Sequence, residues 1–260
     1  MKITEKLRSR RIAYRTQVLY SRARLFSSRF DHPIIQEIPI GKRILVLCPH
    51  PDDDVIGAGG ALRKHIEAGS QVAVLVLTDG SAGDSSKSRQ QIASIRRQEQ
   101  LEAAAVLGIK QIHFWIIPDG ALTAAEGSAT NLRELITDLQ PDLVYLPSFL
   151  DKHPDHRAVT PLLAKSLEKT NLDFTCVVYE LNVPILPNVV VDISEQIEIK
   201  LKALAAHKSQ LDQVNYAELV KSFARWRAVS LTNSAAYAES FFVENVHSYL
   251  NLWQRVIGKD

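Results

Sequence analysis

Short apolar runs alternate with amphipathic stretches along most of this chain, and that alternation sets the fold class. Runs of strand length occupy Arg43–Cys48, Gln71–Thr78, Ile112–Ile117, Asp142–Leu146 and Phe174–Leu181, with Asn188–Asp192 a further run suited to a sheet edge. Between them, helical spacing of apolar positions appears in Gly59–Ala68, Ser88–Leu107, Thr130–Leu139 and Ala158–Lys169, and Gly108 supplies a C-cap for the second. Strands that recur with a helix between them predict a mainly parallel sheet, because a parallel pair needs a crossover long enough to hold a helix. Right-handed crossovers then give a Rossmann-like α/β domain flanked by helices, with ligands expected at the C-terminal ends of the strands. From Ser194 onward helix-like sequence dominates, clearest in Lys202–Gln210 and Tyr216–Arg227, and reads as a helical C-terminal cap.

Composition narrows the class without changing it. With 46% of 260 residues hydrophobic and 23% charged, the chain suits one folded domain over residues 41–260. Two cysteines, Cys48 and Cys176, are too few for a disulfide framework, and the absence of a recognisable cleavable leader adds to the expectation of a reducing, cytoplasmic setting. No apolar run reaches the roughly 20 residues of a membrane-spanning helix. Charge is uneven: the first thirty residues hold nine cations against Glu5 alone, a local net of +8 in a chain whose total is +2. A basic helical arm over residues 1–40 follows. The arm reads either as a peripheral contact with an anionic membrane surface through residues 1–30, with Leu7, Tyr14, Val18 and Leu25 as its apolar stripe, or as a solvated helix, since Arg11 and Arg22 interrupt that stripe. Tyr14, Tyr20, Phe26 and Phe30 share no single helical face, which argues against nucleic acid as a partner.

The first cluster of chemistry-bearing residues stands where the first of these strands ends: Cys48-Pro49-His50-Pro51-Asp52-Asp53-Asp54, followed by Gly57, Gly59 and Gly60. A histidine and an aspartate three residues on, in a turn stiffened by proline, can both point at one cation, and nitrogen and oxygen donors suit zinc. Asp52, between them, is then free to act as a base toward water. Three adjacent acids repel one another unless a cation or the positive end of the following helix neutralises them, so a plain charged helix cap is the weaker reading. The second cluster follows the run Asp142–Leu146, where Asp151-Lys152-His153-Pro154-Asp155-His156 brings two histidines and an acid to the same rim. Three protein ligands with one open position is the arrangement of catalytic zinc, so one histidine can complete the metal set while the other faces a reacting carbonyl.

On these residues the chain resembles the PIG-L/LmbE-type zinc deacetylases, a family that includes N-acetylglucosaminyl-phosphatidylinositol de-N-acetylase and the deacetylases of the mycothiol and bacillithiol pathways. The resemblance runs from Lys42 to Phe242. It is anchored by His50-Pro51-Asp52-Asp53 and His153-Pro154-Asp155-His156, and supported by Thr78-Asp79-Gly80, Arg96-Arg97-Gln98-Glu99, His207-Lys208-Ser209-Gln210 and Tyr237-Ala238-Glu239-Ser240-Phe241. It implies that His50, Asp53 and His156 bind Zn2+ and that Asp52 is the general base. It implies further that His153, oriented by Asp155, steadies or protonates the tetrahedral intermediate. Arg96 is similar to the family arginine that contacts the sugar or its phosphate; the alternative is a surface ion pair with Glu99. His207 and Glu239 are expected to line the substrate site through the cap. Asp54 departs from the family, which usually has glutamate there; the acid is kept, so a supporting or helix-capping role survives the loss of one methylene.

The expected function is a zinc-dependent hydrolase that removes an acetyl, or other acyl, group from an N-acetylated amino sugar or glycoconjugate. Zinc-dependent hydratases resembling this family use the same ligands on small unsaturated carboxylic acids. Such an enzyme wants cationic groups at the pocket mouth, whereas Trp115, Tyr145, Phe149 and the loop at residues 81–88 suit a sugar. A binding module without catalysis is disfavoured by Asp52, which a mere metal site does not need. Gly57-Ala58-Gly59-Gly60 fits neither dinucleotide nor P-loop spacing and reads as close helix packing, and Cys48 reads as a small buried strand residue.

Overall fold

The computed structural model describes residues 33–84, 86–124, 127–211, 215–231 and 235–257; residues 1–32, which hold most of the basic arm, lie outside them. The strands are β1 (Ile34–Gln36), β2 (Arg43–Cys48), β3 (Gln71–Thr78), β4 (Gln111–Ile117), β5 (Leu143–Pro147), β6 (Thr175–Tyr179), β7 (Val189–Asp192) and β8 (Ala238–Asn245). They form one sheet in the order β1-β7-β8-β6-β5-β2-β3-β4. Every pairing is parallel except those of β8, which runs antiparallel to both β6 and β7. The helices are α1 (Asp53–Glu67), α2 (Arg89–Leu107), α3 (Ser128–Leu139), α4 (Pro154–Ser166), α5 (Ile197–Leu204), α6 (Lys208–Leu211), α7 (Tyr216–Leu231) and α8 (Val246–Ile257).

Helices cover both faces of the sheet, which explains why its central strands are apolar without alternation. On β2, Ile44, Val46 and Cys48 face a core shared with α1, α2, α5 and α7, while Leu45 and Leu47 face a core shared with α3, α4 and α8. The glycines of α1 let it approach this sheet: a Cβ on Gly57 would stand 2.3 Å from the Tyr179 ring, and one on Gly60 would stand 2.7 Å from Ile193. Cys48 and Cys176 are buried free thiols. No helix among the described residues is long and apolar enough to cross a membrane.

The elements depart from the sequence expectation in three main ways. First, α1 opens at Asp53 rather than Gly59, with Asp53 and Asp54 in its first turn, where the helix's positive end favours acids that the apolar pattern does not register. Likewise α4 opens at Pro154, with proline at its first position. Second, residues 34–36 of the basic arm join the sheet beside β7, ahead of residue 41, where the domain was expected to open. Third, the C-terminal cap is not wholly helical. Ala238–Asn245 enters the sheet between β7 and β6, although its sequence, AESFFVEN, carries acids at both ends.

Candidate active site

The crossovers deliver the two chemistry-bearing turns to adjacent strand ends, because β2 and β5 are paired neighbours. His50 follows β2, and His156 sits in the first turn of α4, just beyond β5. His50 Nδ1 lies 3.1 Å from Asp53 Oδ2 and 3.2 Å from His156 Nε2, and His156 Nε2 lies 3.2 Å from the same Asp53 oxygen. Donors about 2.0–2.1 Å from a tetrahedral zinc are about 3.3–3.4 Å apart, so this triangle has the chemistry and nearly the size that zinc requires. Nitrogen atoms of His50, His153 and His156 also gather within 4.8 Å of one another, as do donor atoms of His50, Asp119 and Asp155.

The far nitrogen of His50 and of His156 meets a carboxylate. His50 Nε2 faces Asp155 Oδ2 at 3.1 Å and Asp119 Oδ1 at 3.4 Å, while His156 Nδ1 faces Asp151 Oδ1 at 3.1 Å. A proton shared at the far nitrogen leaves the near one with its lone pair toward the cluster. Desolvation opposes protonation of both rings, but the acids around them prevail, raising His50 well above its usual range and His156 to about 9. Asp155 therefore orients His50, not His153 as expected. Its carboxylate is fixed by the N–H groups of Gly120 and Leu122, and only its backbone N–H reaches His153 Nδ1, at 3.3 Å.

Asp52 stands at the N-cap of α1 with φ of 117°, a conformation that side chains rarely adopt and that surrounding contacts must impose. Its N–H donates to Gln100 Oε1 at 3.0 Å. Arg96 donates to the Pro51 carbonyl at 2.6 Å, to the Gly80 carbonyl at 3.0 Å and to Asp52 Oδ2 at 3.1 Å. Burial pushes the Asp52 carboxyl up to about 7, against the opposing pull of Arg96. The Thr78-Asp79-Gly80 segment closes the frame: the Thr78 hydroxyl donates to the Pro49 carbonyl, and Asp79 Oδ1 accepts the N–H groups of Ser81 and Asp119. Asp54, also drawn up by burial, to about 6, accepts from Gln100 and Cys48 and supports the turn from behind.

The remaining expected residues lie elsewhere or act differently. Arg96 is buried, holds Asp52 and makes no pair with Glu99, whose carboxylate accepts instead from the N–H and hydroxyl of Ser209. Glu239 pairs with Lys200 at 2.6 Å and accepts the Gly60 and Ala61 N–H groups of α1 at 2.8 Å. It is drawn there because the inserted pair takes over ladder groups of the helix: Lys200 caps the Ile56 carbonyl. His207 is fully buried, neither ring nitrogen has a hydrogen-bond partner among the described residues, and burial lowers it to about 3. Tyr145 is fully buried against His65, and Phe149 packs beside Tyr249, so neither offers a sugar-binding surface. Asp119 and Asn182 were not singled out from the sequence, and Asp151 stood in the second cluster without an assigned role. Asp119 follows the end of β4 and Asn182 the end of β6, so position at the C-terminal rim was the one signal available.

Residues 45–166 match the family described as PIG-L: GlcNAc-PI de-N-acetylase. Diacetylchitobiose deacetylase of Thermococcus kodakarensis is 30% identical over 208 residues, covering 72% of this chain and 76% of that protein. The solved structure of N,N'-diacetylchitobiose deacetylase from Pyrococcus horikoshii superposes with a TM-score of 0.70 at 28% identity, over 80% of this chain and 86% of that one. A 4-oxalmesaconate hydratase of Pseudomonas putida is 30% identical over 119 residues, 43% of this chain and 46% of that protein.

Proposed function

The chain belongs to the PIG-L (GlcNAc-PI de-N-acetylase) family, and from that premise we propose a zinc-dependent hydrolase that removes an acetyl or other acyl group from an N-acylated amino sugar or its conjugate. The observation that carries this reading is the convergence of His50, Asp53 and His156 on one point, with Asp52 held in the intervening turn. Those three residues hold the zinc. Bound there, zinc supplies Lewis acidity, polarising an amide carbonyl and lowering the pKa of water to about 7.

Asp52 is the general base. A buried carboxylate drawn up to about 7 accepts a proton from the attacking water and is able to return it near neutral pH. His153 accepts an N–H at Nδ1, so its neutral ring carries the proton on Nε2 and donates from there to the oxygen that gains charge as the carbonyl is attacked. Burial and the neighbouring His50 and His156 lower the pKa of His153, which favours this neutral form. With His153 held as a hydrogen-bond donor, delivery of the proton to the leaving amine falls to Asp52.

The hydratase relative raises a second chemistry on the same ligands. Asp52, Asp119, Asp151 and Asp155 surround the cluster, and Arg96 is taken up by Asp52. That arginine, already paired, is not left to bind a polycarboxylate, which favours an uncharged sugar amide. The test is acetate release from N-acetylglucosamine and a panel of its conjugates, including N,N'-diacetylchitobiose. We expect release by the zinc-loaded protein and a loss of roughly 10²–10⁴-fold in Asp52→Ala at matched zinc content. Wild-type protein that liberates no acetate from any of them, or Asp52→Ala as active as wild type, sinks the proposal.

A further inference from the structure

We infer that Asp151 is a positioning residue that holds His156 in its metal-binding orientation and ties it to the loop following β6. The inference deepens the proposed function and rests on His156 being a metal ligand. The Asp151 side chain is almost wholly buried, and its carboxylate meets three elements at once. Oδ1 stands 3.1 Å from His156 Nδ1, accepts the His153 N–H at 2.8 Å and accepts the Asn182 side-chain amide at 3.1 Å. Oδ2 accepts the Asn182 backbone N–H at 3.0 Å.

Two consequences follow from chemistry alone. A carboxylate on Nδ1 keeps the His156 proton there, leaves the Nε2 lone pair facing Asp53 and His50, and makes that nitrogen a stronger donor. The same oxygen fixes the backbone of His153, so the spacing of the two histidines is set by one side chain. The loop at residues 180–188 is itself anchored, because Glu180 and Arg227 form a buried ion pair and Arg227 also donates to the Ile185 carbonyl at 2.9 Å. Asp151 is thus tied to an anchored loop, and His156 inherits that rigidity. The arrangement is the counterpart of Asp155 on His50, supplied by a residue outside the four-residue motif that carries His153 and His156.

Zinc affinity, read by competition with a chromophoric chelator, tests the inference without reference to activity. Asp151→Asn keeps the side-chain volume and removes the charge; we expect its zinc Kd to rise about 10–100-fold, with a changed visible spectrum when cobalt fills the site. His156→Ala is the control that separates the two readings. If His156→Ala binds zinc as wild type does, the ligand assignment itself fails; if His156→Ala is weakened while Asp151→Asn binds zinc and gives a cobalt spectrum like wild type, the role of Asp151 is overturned. Should Asp151→Asn fail to fold, Asn182→Ala leaves Asp151 in place but frees it from the loop. That variant is expected to weaken zinc several-fold, and unchanged affinity there overturns the inference equally.

Discussion

Two buried groups of charged side chains meet α1, one at its N-terminus and one midway along it, and they are built on different principles. Lys200 and Glu239 satisfy each other and the helix: the ammonium meets a carboxylate oxygen and the Ile56 carbonyl, and the carboxylate takes two backbone N–H groups. At the helix start, by contrast, two imidazole nitrogens and a carboxylate oxygen face one another at 3.1–3.2 Å. The first set is complete in itself. The second turns three donor atoms toward a common point, and only added positive charge, protons on the two rings or a bound metal, completes it. Buried charge by itself therefore says little about function; what separates site from scaffold is whether the polar groups are complementary within the chain.

The largest effect that tests this contrast is expected at the scaffold pair. Glu239→Gln leaves Lys200 buried beside a neutral group and is expected to lower unfolding stability by about 3–5 kcal/mol in denaturant titrations, while the zinc Kd stays near that of wild type. Lys200→Met combined with Glu239→Leu is expected to recover part of that loss, limited by the Gly60 and Ala61 N–H groups left without acceptors. A fall in zinc affinity with stability intact would erase the distinction and return Glu239 to the functional site.

A smaller effect is expected at Arg96, which bridges the two regimes: it is buried like a scaffold residue yet grips the proposed base. Arg96→Gln is expected to lower kcat roughly 10–100-fold with little change in KM, the scale of lost hydrogen bonds to a charged group. A raised KM with kcat kept would instead mean that Arg96 contacts the substrate, as its sequence motif suggests.

The smallest effect concerns the histidines. Burial lowers His65 to about 4 and His207 to about 3, whereas the acids around His156 raise it to about 9. For the first two, the unfolded chain with an ordinary pKa near 6.5 binds protons that the folded chain refuses, so stability falls as pH drops below about 6.5. For His156 in metal-free protein the sign reverses: its stabilising contribution is full below about 6.5 and is lost as pH rises through about 9. Thermal melts of metal-free protein across roughly pH 4.5–9.5 are expected to show the alkaline limb, while the raised Asp52 and Asp54 carboxyls, whose stabilising contribution is lost as pH rises through about 6–7, oppose the acid limb and leave it shallower than the two histidines alone would make it. His207→Leu should flatten the acid limb by at most about 1.4 kcal/mol per pH unit and leave the alkaline limb unchanged. An acid limb as steep as that of wild type would mean that His207 does not titrate between the two states.

Much of the fold is legible in the order of the residues. β2 and β3 have the bounds that their apolar runs predict, because a strand buried on both faces writes itself as an uninterrupted apolar segment. The two histidine-bearing turns are legible for the same reason: they follow such runs directly, and a parallel sheet gathers strand ends on one rim. β8 is not legible. Its two faces meet different environments, with Glu239 turned to Lys200 and the backbone of α1, and a buried acid whose partners come from distant segments looks in sequence like a solvated one.

Fold class, the rim on which chemistry occurs and the residue types gathered there all follow from the order of residues alone, since hydrophobic period and local turn chemistry act over a few neighbouring positions. Which residue serves which is a matter of tertiary packing: Asp155 supports His50, Arg96 grips Asp52 in a backbone conformation with φ of 117°, and Glu239 accepts backbone N–H groups of a helix. These assignments join residues 39 to 179 positions apart, from Lys200–Glu239 to Gly60–Glu239, and no local pattern encodes a contact made only when the crossovers close.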